Sequence, residues 1–471
     1  MQEQLGWDGA TVAVTEASEL VNRGEGGRLT VVNAEPMPTA TQECRDAYAD
    51  NDAVFDDVVA GEVRVARAEP EETVSVLVFR DGQAARELWE ADARVLQRCG
   101  VTLAGSQEYS REYALWTSVG ALPAQHLQTT IPVGDMYDAT ALTTRTLDAW
   151  AGGVMIRDVS GGVIGEVRSV DDYVAERGER LAGVVAALEL DASGDDVATP
   201  VLPHTTWTLA EFGDLTPEQI QDVLQSMMGV SFDVYIELDE DGEDDAVDES
   251  DSENVDESDS GNEGVSEEAA EQRLRQAYST DACDNAWTVS GETREEHELG
   301  YVEALDTAEG VAAGRALATY MYRSAEGALE DRDRTEQRRA LCGYRDTFSD
   351  VDGQTNERIV NFDDFDAMVW TAVFTGWDDL EGESMIVRRS TVRVGDLRIH
   401  YGERTLAEAA RSDDEFDAEL GRRVDRLLSL LAKEGGVADP FDGADPRDEA
   451  QSSSPEPSEG AAEENADEDT Q

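Results

Sequence analysis

Apolar residues recur along this chain in two sets with one spacing. Leu181, Val184, Val185 and Leu188 fall at i, i+3, i+4 and i+7, and Val424, Leu427, Leu428 and Leu431 repeat the stripe 243 positions later. That spacing gathers one face of a helix. A period-two run precedes each stripe. Val74, Val76 and Val78 alternate with Ser75 and Leu77 and predict a strand, and the aligned Leu317 to Tyr322 is apolar with a less clean alternation. Ala85, Leu88, Trp89, Val95, Leu96 and Cys99 then return to helical spacing, interrupted by Asp92. The matching stretch, Ala325 to Cys342, is much more charged, so its helix is predicted from the alignment alone. Phe79-Arg80 and Tyr322-Arg323 open these stretches, and Cys99-Gly100 and Cys342-Gly343 close them.

Late strands are predicted over Val154 to Val167 and Met385 to Tyr401. The second turns as a hairpin at Gly395-Asp396. The glycine cluster Gly161 to Gly165 lacks the Lys-Ser/Thr of a phosphate loop and runs into a strand, so it also reads as a hairpin. The fold class is therefore α+β: two tandem modules, each an antiparallel-rich sheet with helices packed on one side. Module 1 spans 35–192 and module 2 spans 272–436. Residues 1–34 are an uncertain segment in which Leu29 to Val32 could form a strand. A connecting segment, 193–238, carries a helix starting at Thr216-Pro217-Glu218, with Ile220, Val223, Leu224 and Met227 on one face. Residues 239–271 are nearly all Asp, Glu, Ser, Gly and Asn, and with the acidic tail 437–471 they are predicted to be disordered. The linker is expected to act as a tether that lets the modules reorient.

Composition narrows the function. The 471 residues include 105 Asp and Glu against 37 Lys and Arg, a net charge of −68, and Lys433 is the only lysine. Such a chain excludes a nucleic-acid partner, which needs clustered cations. No stretch approaches the roughly 20 apolar residues of a membrane span, so no integral membrane segment is expected. Met1 to Trp7 has neither a basic n-region nor an apolar h-region. The preferred reading is a start downstream of the true start or processing site, with a cytoplasmic protein as the alternative.

Four cysteines stand two to a module: Cys44 and Cys99, then Cys283 and Cys342. Pairing within each module is the simplest of three connectivities, and each bridge would contribute about 4 kcal/mol by restricting the unfolded chain. The alternative is four buried thiols. CxxC chemistry is excluded by the spacing.

Catalytic constellations are missing. His126, His204, His297 and His400 share no metal-ligand spacing, and no GxSxG elbow occurs. Asp350-Val351-Asp352-Gly353 lacks the outer ligands of a calcium loop. His400, beside Ile399 in a strand, reads as an exposed or hydrogen-bonded histidine on the opposite face. No cofactor or metal is expected. Arg80 and Arg323, at matched positions after the first strand, are candidates for ligand contact or for pairing with a carboxylate. Trp116 and Trp370, in the variable middles, read as core residues or as the wall of a ligand cleft.

The strand followed by Phe79-Arg80-Asp81, the helix from Ala84-Ala85 to Gln97-Arg98-Cys99-Gly100, Trp116, Arg393-Val394-Gly395-Asp396 and the closing helix together resemble one family. It is the extracellular sensor domain of actinobacterial serine/threonine kinases, of the PknH-like type. The resemblance covers about two thirds of the chain and implies an extracytoplasmic, disulfide-bonded, non-enzymatic module that binds a small molecule or envelope component. This chain departs from the pattern in having no kinase domain, no membrane span, two modules in tandem and one cysteine pair per module. The reading is a secreted or cell-envelope, non-enzymatic binding protein. Its rivals are a cytoplasmic halophile protein with a salt-adapted surface and a hydrolase using dispersed carboxylates.

Overall fold

The computed structural model describes residues 5, 7, 10–19, 36–67, 72–105, 111–131, 142–163, 169–190, 204–206, 208, 210, 212–213, 215–228, 232–238, 280–306, 313–345, 353–374 and 383–438. The acidic stretch 239–271, the tail beyond 438 and the segment Leu29 to Val32 lie outside them.

The first half runs β1 (Thr11–Glu16), α1 (Gln42–Val58), β2 (Val59–Arg67), β3 (Glu72–Phe79), α2 (Gly82–Cys99), β4 (Val101–Gly105), β5 (Arg111–Val119), β6 (Leu122–Ile131), β7 (Leu142–Ala151), β8 (Val154–Val163) and α3 (Val170–Ala187). Next come α4 (Pro217–Met228) and β9 (Phe232–Leu238). The second half repeats the order: α5 (Asp281–His297), β10 (Glu298–Asp306), β11 (Ala313–Tyr322), α6 (Ala325–Cys342), β12 (Tyr344–Arg345), β13 (Gly353–Asn361), β14 (Asp366–Phe374), β15 (Met385–Val394), β16 (Leu397–Leu406) and α7 (Asp413–Glu434).

Local chemistry repeats with the elements. Thr41 and Thr280 cap α1 and α5, Asp81 and Ser324 cap α2 and α6, and Ser169 and Ser412 cap α3 and α7. Each side chain accepts an N–H that the first helical turn leaves without a partner. Gly152 and Gly395 have φ of +55° and +61° and turn the β7–β8 and β15–β16 hairpins, closed by Ala151–Val154 and Val394–Leu397. Arginines repeat as well. Arg145 donates to Gln128 at 2.7 Å and lies over Tyr173, and Arg388 donates to Glu403 and Asp413, both at 2.9 Å, and lies over Phe416. Each ties a central strand to the closing helix.

The strands form two eight-stranded sheets whose strand pairings are antiparallel, ordered β1-β2-β3-β8-β7-β6-β5-β12 and β4-β13-β14-β15-β16-β11-β10-β9. Each half lends one short strand to the other: β4 pairs with β13, and β12 pairs with β5. Asn356 reinforces the crossing by donating to the carbonyl of Cys99 at 2.7 Å and to Thr102 Oγ1 at 2.9 Å. Met37, Cys44, Tyr48, Val95 and Cys99 share a buried cluster with Val373 and Ile386 of the second half. The expectation of modules reorienting about a tether is therefore corrected: independent rotation would break two strand pairings and expose this cluster.

The α+β reading holds, with a different layering. Helices cover both faces of each sheet. In the first, Val74, Val76, Leu147, Ala149 and Ile156 pack on α3, while Leu77, Phe79, Trp150 and Met155 face α1 and α2. In the second, α4 and α7 cover one apolar face. The connecting helix is as expected, except that Met228 is buried and Met227 is only half-buried. Leu188 falls just after α3 and is 42% exposed, whereas its counterpart Leu431 is fully buried in a longer helix. Gly161 and Gly162 do not turn a hairpin. They lie within β8, opposite Thr144 and Thr143.

Both cysteine pairs are disulfides, Cys44–Cys99 and Cys283–Cys342. Each joins the first turn of α1 or α5 to the last residue of α2 or α6, immediately before an exchanged strand. No helix among the described residues is long and apolar enough to cross a membrane.

Candidate functional site

The two halves differ most between the sheet and its disulfide-linked helix pair. In the first half this layer is apolar around Trp150, with one compact ion pair, Arg157 to Asp148 at 2.7 Å, further along the same face. Phe79 stacks on Trp150 at 5.4 Å, Trp89 meets Trp150 edge-on at 5.3 Å, and Phe55, Leu77, Leu88 and Met155 fill the remainder. Matched backbone positions in the second half hold other chemistry. Arg294 stands for Phe55, Tyr320 for Leu77, Tyr322 for Phe79, Asp331 for Leu88, Arg332 for Trp89, Arg393 for Trp150 and Arg398 for Met155.

These side chains converge, apart from Arg332, which pairs with its exposed neighbour Asp333. Tyr322 donates to Asp331 Oδ2 at 2.8 Å. Arg398 donates to Glu298 at 2.8 Å, lies 3.6 Å from Asp331 Oδ2 and covers the Tyr320 ring at 4.3 Å. Arg393 approaches the same oxygen at 4.0 Å, and Arg294 approaches Oδ1 at 3.9 Å. Three guanidiniums thus surround one fully buried carboxylate. Burial pushes Arg393 below its ordinary pKa, against the pull of Asp331. It also pushes Tyr322 upward, with the Asp331 charge adding to the rise.

His400 lies on this face, 4.7 Å from the Tyr320 ring. Burial first, then the Arg398 and Arg393 charges, lower its pKa to about 3, so it is neutral. The expected exposed or hydrogen-bonded histidine is corrected: its Nε2 is buried and makes no hydrogen bond. A charged imidazole would be desolvated beside like charges.

A cavity of about 280 Å³ opens at the Tyr322 end of the sheet on the side covered by α4, and the Asp331 cluster does not line it. Ile220, Leu238, Met321 and Leu397 supply apolar walls, Arg323 and Asp396 polar ones, and Tyr322 borders both cavity and charged layer. Of the residues singled out in sequence, Arg323 lines the cavity and donates from Nε to the Glu296 carbonyl at 3.2 Å. Arg80 instead pairs with Asp57 at 2.9 Å on an exposed surface. The tryptophans occupy unmatched places. Trp116, on β5, packs against Leu96, Val101, Leu103 and Ala114, whereas Trp370 is half-buried on β14 with Arg389 5.8 Å over its ring. The four are not gathered into one site. What the sequence reading missed is the cluster of Arg294, Asp331, Arg393 and Arg398. Its signal was present as apolar positions of one repeat turned charged in the other. Among the described residues, no three His, Cys, Asp or Glu are placed to hold a metal ion.

No family model and no curated protein matches the chain. Among solved structures it is similar to the crystal structure of the extracellular domain of PknH from Mycobacterium tuberculosis, at 8% identity and a TM-score of 0.23, over 46% of this chain and 92% of that one. A likeness so distant leaves function to be argued from the chain's own residues.

Proposed function

We propose that the chain is an extracytoplasmic, non-enzymatic binding protein of the sensor type that takes its ligand in the second half, at the charged layer. The observation that carries this reading is the replacement, at matched positions of one fold, of an apolar filling by buried arginines. Apolar packing usually stabilises as well as a buried ion network or better, because each charge must be desolvated. The first half keeps that packing at the matched positions and closes its one ion pair, Arg157 with Asp148, compactly, so stability alone gives no reason for three guanidiniums around one carboxylate in the second. The two halves thus present unlike layers, which disfavours two equivalent sites engaging one repeating ligand.

The compartment is supported by the disulfides, since such bridges persist mainly outside the reducing cytoplasm. The test is an intact-mass thiol count on protein from its native host, alkylated with and without reduction. No free thiols before reduction and four after are expected. Four free thiols in the unreduced protein would overturn the extracytoplasmic reading and favour a cytoplasmic, salt-adapted protein.

A further inference from the structure

Two cations of the charged layer, the buried Arg393 and the more exposed Arg294, have their charge met only at a distance. Arg393 is 8% exposed, its nearest carboxylate oxygen is 4.0 Å away, and its Nε is buried without a hydrogen bond. A guanidinium has five N–H donors, and burying them unmet is costly. Arg398 has the same defect at its own Nε, and Asp331 Oδ1 also lacks a hydrogen bond. The chain does not lack carboxylates, with 105 Asp and Glu, yet one Asp331 serves three guanidiniums here. Arg294, Arg393 and Arg398 face Asp331 and Glu298 here, with His400 neutral, and Glu303 stands further along the same face near Tyr320. Glu336 acts on Arg393 only at longer range, and it is paired with Arg339 at 3.8 Å.

We propose that Arg393 and Arg398 bind an oxyanion, the carboxylate or phosphate group of a small ligand, between the second sheet and the α5–α6 pair, with Arg294 at the mouth. The inference rests on the reading of this layer as the ligand site. Its chemistry is the planar guanidinium fork, which matches either oxyanion with two parallel hydrogen bonds. The neutral imidazole of His400 adds a donor. Arg294, with 43% of its side chain exposed, is the guanidinium of the three that reaches solvent, so an anion enters past it. The first half cannot act in this way, because Trp150 and Met155 occupy the matching space.

The test is thermal unfolding of the full, oxidised chain in chloride, inorganic phosphate or acetate at constant ionic strength. Holding ionic strength fixed separates binding from general screening of the chain's charge. A ligand for the native state raises Tm saturably with concentration. Phosphate or acetate is expected to do so, and Arg393→Met to abolish the rise. A response to phosphate alone assigns a phosphorylated ligand, and a response to acetate alone a carboxylate. If Arg393→Met fails to fold, Arg393→Lys replaces it, with binding expected to weaken about tenfold as the fork is lost. The proposal is overturned if neither anion gives a saturable rise, or if the variant responds like the parent. Free thiols would sink the extracytoplasmic reading without touching this result, so the two can fail separately.

Discussion

At the scale of single residues, burial decides chemistry that residue type leaves open. His126 and His400 are both held at a pKa of about 3, chiefly by desolvation. The unfolded chain protonates such residues near 6.5. Below that pH the unfolded state takes up protons that the folded state refuses, so the stability these histidines contribute is present above about 6.5 and is lost as pH falls toward 3. Each accounts for a slope of up to about 1.4 kcal/mol per pH unit. Between pH 7 and 5.5 most carboxylates remain charged, so the histidine effect is separable there. Urea unfolding across that window should show stability falling with pH, and His400→Gln should flatten the fall. A slope unchanged in the variant would mean that His400 is already protonated in the fold.

At the scale of elements, the exchanged strands depend on two glycines. Gly100 and Gly343 end α2 and α6 with φ of +74° and +63° and ψ near ±160°, a region closed to other residues. A Cβ on Gly100 would stand 2.1 Å from the Glu357 carbonyl, and one on Gly343 would stand 2.0 Å from that of Ala114. Glu357 and Ala114 are themselves matched positions, so the crossing is symmetrical. Gly100→Ala should therefore cost about 3 kcal/mol or more, combining backbone strain with overpacking. Gly120→Ala, also at positive φ but with nothing within 4 Å of its added Cβ, should cost about 1 kcal/mol. Equilibrium denaturation of the two variants checks the contrast, and equal losses would show that β4 does not lie closely against β13.

At the scale of the whole molecule, exchange joins the halves into one cooperative body. Releasing either sheet removes a strand from the other and opens the shared cluster around Cys99 and Ile386. Calorimetry of the oxidised chain should give one transition, with calorimetric and van't Hoff enthalpies in agreement. Two resolved transitions would mean that the halves fold independently. Cooperativity of this kind also offers a route from a ligand in the second half to the first, since the helix pair over the charged layer leads directly into a strand of the other sheet.

The sequence by itself determined the repeated elements. The stripes of α3 and α7, the start of α4 and the Gly395-Asp396 turn follow from patterns read within a few tens of residues, because backbone hydrogen bonding and side-chain periodicity are local, and within-module cysteine pairing was the simplest of three connectivities. It also held the apolar-to-charged switches at Arg294, Asp331, Arg393 and Arg398, though only as isolated substitutions. Tertiary structure decided what they mean. Those four residues come from a helix, a second helix and two strands, and only packing brings their charges within 4.0 Å. Strand exchange was likewise hidden: Val101–Gly105 lies in the variable middle of the repeat, and pairing through backbone groups carries little side-chain signature. The helices on the second face were missed for a related reason: an amphipathic stripe shows that a helix is covered, but not which side of which sheet covers it.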